Sequence, residues 1–451
     1  MQNHIQDEAT FKLYDHFIQN NTINPDLFDK YNVKRGLRNA DGTGVMAGIT
    51  NICNVHGYIV NEGEKQPIDG ELIYRGYNIN DLVSNVFAEK RFGFEEIIYL
   101  LLMGELPTIE KLNHFIEYLN NCRELPGRFF EDVILKAPSN NIMNNLARSV
   151  LALYTYDEAP ENLTPEREMQ IAITLISRLP AIMVNAYQVK KRHFDQKSMV
   201  VHPLRTGESI AESILSTLRS NREYTPEEAH LLDLLLMLHA EHGGGNNSTF
   251  TCRVLTSSGT DPYSAYAAAI GSLKGPKHGG ANMKVMEMLE YIKTNVSNWD
   301  DEVEVADYMI KLLNKEAGDK SGLIYGMGHA VYTVSDPRAV ILKKHAMKMA
   351  ENTPFEAEFK LLQTVEKLTP QLFAEVKGDI KTVCANVDMY SGLVYKMLGI
   401  PSDLFTPLFA VSRMPGWCAH RFEEIVTGKR IIRPAYKSIM KPRNYVSLNE
   451  R

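Results

Sequence analysis

The sequence is poor in cysteine, in long apolar runs and in excess charge of either sign. Its five cysteines, Cys53, Cys122, Cys252, Cys384 and Cys418, are odd in number and far apart, with no C-x-x-C pair. That excludes a disulfide framework and a zinc ribbon, and a reducing, cytoplasmic setting is expected. The strongest apolar stretches, Ile97 to Met103 and Leu231 to Leu238, fall far short of the roughly 18 residues of a membrane span, so none is expected. Lysine and arginine number 49 against 55 aspartates and glutamates. A net charge of −6 leaves no cationic excess to neutralise a phosphate backbone, which argues against nucleic acid as the main partner. A pocket for a small anion needs only a few arginines, and the balance does not forbid one. The N-terminus lacks a basic region followed by an apolar stretch and carries acids early, so it is expected to be unprocessed.

What the chain does have is length and helix signals. At 451 residues, 44% hydrophobic and 23% charged, it can bury a sizeable core in two or three domains. Capping residues followed by proline predict helix starts at Thr164-Pro165, Thr225-Pro226, Asp261-Pro262 and Asp336-Pro337. At the second, Glu228 can complete a capping box, and the apolar run Ala229 to His242 predicts a central core helix closed by Gly243-Gly244-Gly245. The first predicts a long helix kinked at Pro180. Strand signals are confined to Tyr58-Ile59-Val60 and Leu72-Ile73-Tyr74, a small hairpin around Asn61-Glu62-Gly63. No fixed-period repeat argues for a solenoid. A lysine- and glutamate-rich stretch from about Val285 to Val376 reads as part of a second, smaller helical domain.

Three segments crowd glycine, histidine and asparagine together in a way that helix packing does not need: His239 to Ser248, Gly275 to Asn282, and Gly326 to Tyr332. Each is expected to put a histidine on a turn at a helix end, where glycine permits close approach to a ligand. A fourth, Asn386-Val387-Asp388, offers one carboxylate in a similar turn. His239 and His242 could be two zinc ligands, but H-E-x-x-H is absent and no spacing marks a third ligand, so no metal is expected. One of the pair is expected to pack and the other to bind. His278 and His329 taken singly would be ordinary loop histidines, and Asp388 a helix cap. Gly326-Met327-Gly328 lacks the third glycine of a dinucleotide fingerprint, and no phosphate loop occurs, which removes hydride and phosphoryl transfer.

Two histidines, an aspartate and nearby arginines suit the making of a carbanion from a weak carbon acid. An aspartate with a reference pKa of about 3.9 can take such a proton only if the enolate is stabilised as it forms, and a neutral histidine N–H can do that. The helix expected from Ala281 to Ile292 would disfavour a charged His278 through its dipole. Arg338, Arg413 and Arg433 offer planar forks for carboxylates.

These segments, with Asp69-Gly70-Glu71-Leu72-Ile73-Tyr74-Arg75-Gly76-Tyr77, Leu102 to Pro107 and Ala410 to Arg413, resemble the citrate synthase family in order and spacing over most of the chain. The resemblance implies a mainly α-helical homodimer with a minor N-terminal β-hairpin. Its large domain would comprise residues 1–279 and 400–451, and its small domain 280–399. It implies Asp388 as the base on acetyl-CoA, His278 as the enol stabiliser and His329 as the acid toward oxaloacetate. His242, Arg338 and Arg413 match oxaloacetate-binding positions, and Arg433 matches an arginine lent by the other subunit. Lys381, Gly326 and Gly328 match coenzyme A contacts, while Thr333 stands where many members carry a phosphate-binding arginine. No cofactor is implied beyond the coenzyme A thioester as substrate. Two rivals stand beside acetyl-CoA condensation: 2-methylcitrate synthase, which uses propionyl-CoA with the same residues, and a helical dimer that has kept the fold as a binding module.

Overall fold

The computed structural model describes residues 8–451 apart from Ala40, Gly63 and 379–382. Two compact units divide it, one up to Ile49 and one from Thr50 to Arg451. The first holds α1 (Glu8–Asn21) and α2 (Asp26–Lys30).

The second opens with an antiparallel sheet of β1 (Cys53–Asn61), β2 (Glu64–Tyr74) and β3 (Tyr77–Asn78), in that order. Cys53 pairs with Tyr74 and Val55 with Leu72, and the register shifts between His56 and Tyr58. The expected hairpin is therefore present, and its strands run longer than the apolar residues alone suggest. The sheet leads into α3 (Ile79–Ala88), α4 (Phe94–Met103), α5 (Ile109–Asn121), α6 (Ile142–Leu153), α7 (Pro165–His193), α8 (Ile210–Leu218) and α9 (Pro226–His239). Then come α10 (Asn247–Thr256), α11 (Pro262–Leu273), α12 (Ala281–Asn295), α13 (Glu302–Leu313), α14 (Pro337–Ala350), α15 (Glu356–Lys377), α16 (Asp388–Met397) and α17 (Phe405–Thr427). The fold is mainly helical, as expected.

All four proline-marked starts open helices. Thr225 and Glu228 form the capping box of α9, Asp261 accepts from Ser264 N–H, and Asp336 accepts from Arg338 N–H. Helix α9 is the core: Leu231 to His239 are all buried, and it touches α4, α8, α14 and α17. It ends at His239, three residues short of the expected His242, because side chains take the carbonyls that would carry it on. Tyr74 Oη lies 3.2 Å from Met237 O and 3.1 Å from Glu241 O, and Arg413 Nε donates to His239 O at 2.6 Å. Within α9, Asp233 is buried and accepts from Gly93 N–H (2.7 Å) and Phe94 N–H (3.2 Å), which caps α4.

Helix α7 contains Pro180 and is the one described helix long and apolar enough to cross a bilayer, a feature absent from the sequence expectations. Two-thirds of its most apolar window is buried inside the protein, as in a core helix. From Ile171 to Val189 its apolar residues are interrupted by Thr174, Ser177, Arg178, Asn185 and Gln188, which is why no continuous stretch marks it. The five cysteines are free.

Candidate active site

Three turns and two helices bring the histidines, arginines and aspartate of the sequence together. The first turn follows α9. Gly243 has φ +86°, open to glycine without strain, and its N–H donates to Glu241 Oε1 at 2.6 Å. That fold-back aims His242 inward. Its Nε2 is buried with no hydrogen-bond partner among the described residues, and burial, with Arg338 next, drives its pKa well below the ordinary value. His239 is the packing member of the pair, fully buried against Phe409 at 4.4 Å with Nδ1 2.9 Å from Leu235 O.

The second turn joins α11 to α12. Thr406 donates to Gly279 O at 2.8 Å, and a Cβ on Gly279 would collide with Leu273 O, so the chain can pass there only as glycine. His278 Nε2 lies 3.2 Å from Ser248 Oγ, which also accepts from Trp417 Nε1 at 3.2 Å. Burial, followed by the charge of Arg413, pushes His278 down to about 4. The imidazole is neutral as expected, but burial and Arg413 account for it where the sequence pointed to the helix dipole.

The third segment does not sit at a helix end as expected: His329 lies in the long connection between α13 and α14. A short antiparallel bridge pairs Met327 with Ala385, and Gly328 N–H donates to Cys384 O (2.8 Å) while Asn386 N–H donates to Gly326 O (2.9 Å). Asn386 Nδ2 also donates to Gly328 O (2.9 Å), and its Oδ1 accepts from Asp388 N–H (3.0 Å). The His329 and Asp388 segments are therefore stitched side by side. Gly326 has φ +81°, and a Cβ there would press on Met389 Cα at 2.9 Å. His329 Nδ1 accepts from Val331 N–H (3.0 Å) and Tyr332 N–H (3.1 Å), which leaves its ring proton on Nε2. Its ring stacks on Tyr332 at 4.6 Å and meets the edge of His242 at 5.0 Å.

Asp388 is the first residue of α16 and is half-buried. Burial raises its pKa, Arg338 and Arg413 oppose that, Asp336 adds to it, and the carboxyl stands at about 6. Arg338 is gripped by its own helix cap: Nε donates to Asp336 Oδ1 at 3.0 Å and Nη2 to Oδ2 at 2.7 Å. Burial works against that charge, but Asp336 outweighs it and holds the guanidinium above its ordinary pKa. Arg413, in the middle of α17, is fully buried, yet its Nη1 and Nη2 have no hydrogen-bond partner among the described residues. Two buried cationic donors without acceptors cost too much to persist unless an anion completes the site.

Arg433 is exposed on the extended segment after α17, and none of the cluster's hydrogen bonds reaches it. Lys381 lies outside the described residues. Gly326 and Gly328 serve the bridge beneath His329 and Asp388, and Thr333 Oγ1 is buried without a hydrogen-bond partner among the described residues. Sequence reasoning missed Ser248, Trp417, Asp336, Asn386 and Tyr332 as supports of the site. Ser248, Tyr332, Asp336 and Asn386 stood in motifs already singled out, whereas Trp417 reaches Ser248 only through the packing of α10 on α17. Among the described residues, no group of three or more histidines, cysteines or acids could hold a metal ion.

Residues 39–435 match the model of the citrate synthase C-terminal domain. The chain is 36% identical to citrate synthase 2 of Bacillus subtilis, with 81% of this chain and 90% of that protein covered. It is 34% identical to the citrate synthase of Corynebacterium glutamicum, over 81% and 80% of the two chains. A 2-methylcitrate synthase of Shewanella oneidensis is 32% identical, over 84% and 92%. Among solved structures, a citrate synthase of Thermoplasma acidophilum in ternary complex with carboxymethyl coenzyme A and oxaloacetate superposes with a TM-score of 0.75 at 28% identity, covering 93% of this chain and 99% of that one. The reading as a non-catalytic module gives way: the chain belongs to the citrate synthase family and is an acyltransferase that forms a carbon–carbon bond.

Proposed function

We propose that this enzyme condenses acetyl-CoA with oxaloacetate and water to give citrate and free coenzyme A. The observation that carries the reading is one carboxyl, Asp388, raised to about 6 beside the neutral His278 and the buried fork of Arg413, which has no acceptor among the described residues. Asp388 takes a proton from the methyl carbon of the thioester, and the electron pair moves into an enolate whose oxygen is held by His278. Ser248 Oγ gives its own proton to Asn246 Oδ1 at 2.8 Å and lies 3.2 Å from His278 Nε2, a contact that orients the imidazole beside the enolate oxygen. The enolate carbon attacks the keto carbon of oxaloacetate while the keto oxygen takes the proton of His329 Nε2. Water then hydrolyses the citryl thioester and coenzyme A leaves as the thiol. His242, Arg338 and Arg413 hold the oxaloacetate carboxylates, with Arg433 supplied by a second copy of the chain. Gly326, Gly328 and Lys381 form part of the coenzyme A surface.

The large domain comprises residues 1–279 and 400–451 and the small one 280–399, and bound oxaloacetate draws them together so that water leaves before the base acts. The free cysteines support a cytoplasmic location. The experiment is thiol release from acetyl-CoA with oxaloacetate, run against Asp388→Asn. The variant should lose about 10²–10⁴-fold in kcat. Native protein that binds both ligands and releases no thiol would overturn the reading.

Propionyl-CoA is the second substrate to test, because 2-methylcitrate synthases stand at 32% identity, close behind the citrate synthases. One methylene changes discrimination by about 1–3 kcal/mol, and the ratio of kcat/KM for the two thioesters decides between them. A strong preference for propionyl-CoA would reassign the enzyme.

A further inference from the structure

The stretch Asp69 to Tyr74 carried the family resemblance, yet none of its side chains enters the chemistry above. Its contacts give it a different task. Tyr74 is fully buried, and its hydroxyl accepts from Glu241 N–H at 3.3 Å while lying 3.1 Å from Glu241 O and 3.2 Å from Met237 O, one of which takes its proton. It therefore clamps the residues that immediately precede His242. Five residues earlier on the same strand, Asp69 Oδ1 accepts from Ser335 Oγ at 2.9 Å, and Gly70 N–H donates to that same Oγ at 3.1 Å. Between them, Glu71 O accepts from Tyr332 Oη at 3.1 Å, and Tyr332 is the ring stacked on His329.

The strands are shaped for this grip. A Cβ on Gly70 would run into Ser335 O and the Tyr332 ring, and one on Gly57 would lie 2.8 Å from Val331 O. Gly57 sits at the register shift of the pair, where the extra residues, Ile68 to Gly70, lie on β2, the strand whose Asp69 and Gly70 meet the loop. Only a bare backbone face on the hairpin lets residues 331–335 lie directly against it.

We infer that Tyr74, Asp69 and Ser335 are positioning residues that fix the two substrate histidines relative to each other: Tyr74 sets the His242 turn, and the Asp69–Ser335 contact sets the His329 loop. The hairpin is a ruler laid across both turns. The two imidazoles, 5.0 Å apart, reach one keto-acid from two segments far apart in the chain, and β2 is the element that touches both. A displacement of about 1 Å at such a site can cost about a hundredfold in rate. The inference rests on the proposed oxaloacetate reaction and adds what holds its histidines in register.

The test compares native enzyme with Tyr74→Phe, Ser335→Ala and Ser335→Thr, measuring kcat, KM for oxaloacetate and the thermal midpoint. Tyr74→Phe should raise KM for oxaloacetate about tenfold and leave kcat within about twofold. Ser335→Ala should lower kcat about tenfold with a smaller change in KM, and Ser335→Thr, which keeps the hydroxyl, should recover most of it. Ser335 is only partly buried, so its variants test the idea even if Tyr74→Phe does not fold. Variants that lose thermal stability while keeping native kcat and KM would overturn the positioning role and leave the reaction standing. A native enzyme inactive with both thioesters would instead overturn the reaction, and the inference with it.

Discussion

The ionisation of Asp388 sets the acid limb of the reaction. Burial and Asp336 raise the carboxyl, the two arginines pull it down, and the balance stands at about 6. A raised carboxylate holds its proton longer, so below that pH the base is occupied and kcat/KM should fall toward about tenfold per pH unit. His278, held near 4 by burial and Arg413, and His242, driven well down by burial and Arg338, stay neutral across that range and add no second limb. A profile of kcat/KM between about pH 5 and 8 checks this: a bend near 6 is expected, and a profile that stays flat down to pH 5 would show that burial does not govern the base. At this scale the sequence was most legible. His242, His278, His329, Arg338, Arg413 and Asp388 all stood in short glycine-rich or proline-marked motifs, because a functional side chain on a tight turn constrains its neighbours. What could not be read were the partners brought by tertiary packing. Nothing near Ser248 or Trp417 in the chain announces that they meet at 3.2 Å beside His278.

The helices that carry these residues are fixed by caps borrowed from one another. The N-terminus of α4 is held by Asp233 from α9, and its C-terminus by Arg75, whose Nε and Nη2 both donate to Leu101 O at 3.1 and 2.8 Å. Gly104, at φ +84°, then ends the helix. The motifs Tyr74-Arg75-Gly76 and Leu102 to Pro107 are thus the two sides of one junction. Asp233 was visible in the sequence only as a polar break in an apolar run, and the run was rightly read as a core helix. Its purpose needed the fold, since the N–H groups it accepts lie 140 and 139 residues away. Removing it by Asp233→Ala would leave two buried donors without a partner. The expected cost is about 1–3 kcal/mol, read as a lowered urea midpoint at unchanged slope. An unchanged midpoint would mean that water enters and replaces the cap. Local signals foretold where helices begin, because capping is local chemistry. They failed at the end of α9, where Tyr74 and Arg413 reach in from distant segments.

For the whole molecule the decisive residue is Arg433. It lies exposed on an extended segment that also carries Lys429, Arg430, Lys437, Lys441 and Arg443, while the buried cluster has Arg413 donors to spare. A chain with an acidic total can keep such a basic segment extended if it lies against a second copy. If each active site borrows Arg433 from its partner, two separately inactive proteins should repair each other. Asp388→Asn lacks the base, and Arg433→Ala lacks the lent arginine. In a mixed dimer one site carries both defects, but the other combines an intact Asp388 with the intact Arg433 of its neighbour. Random exchange of subunits makes about half the dimers mixed, each with one native site, so about a quarter of native activity should return on co-refolding or co-expression. If Arg433 instead folds back onto its own chain, every site in the mixture keeps one defect, and activity stays at the level of the separate variants. Such a result would rule out a shared site even if the protein is a dimer.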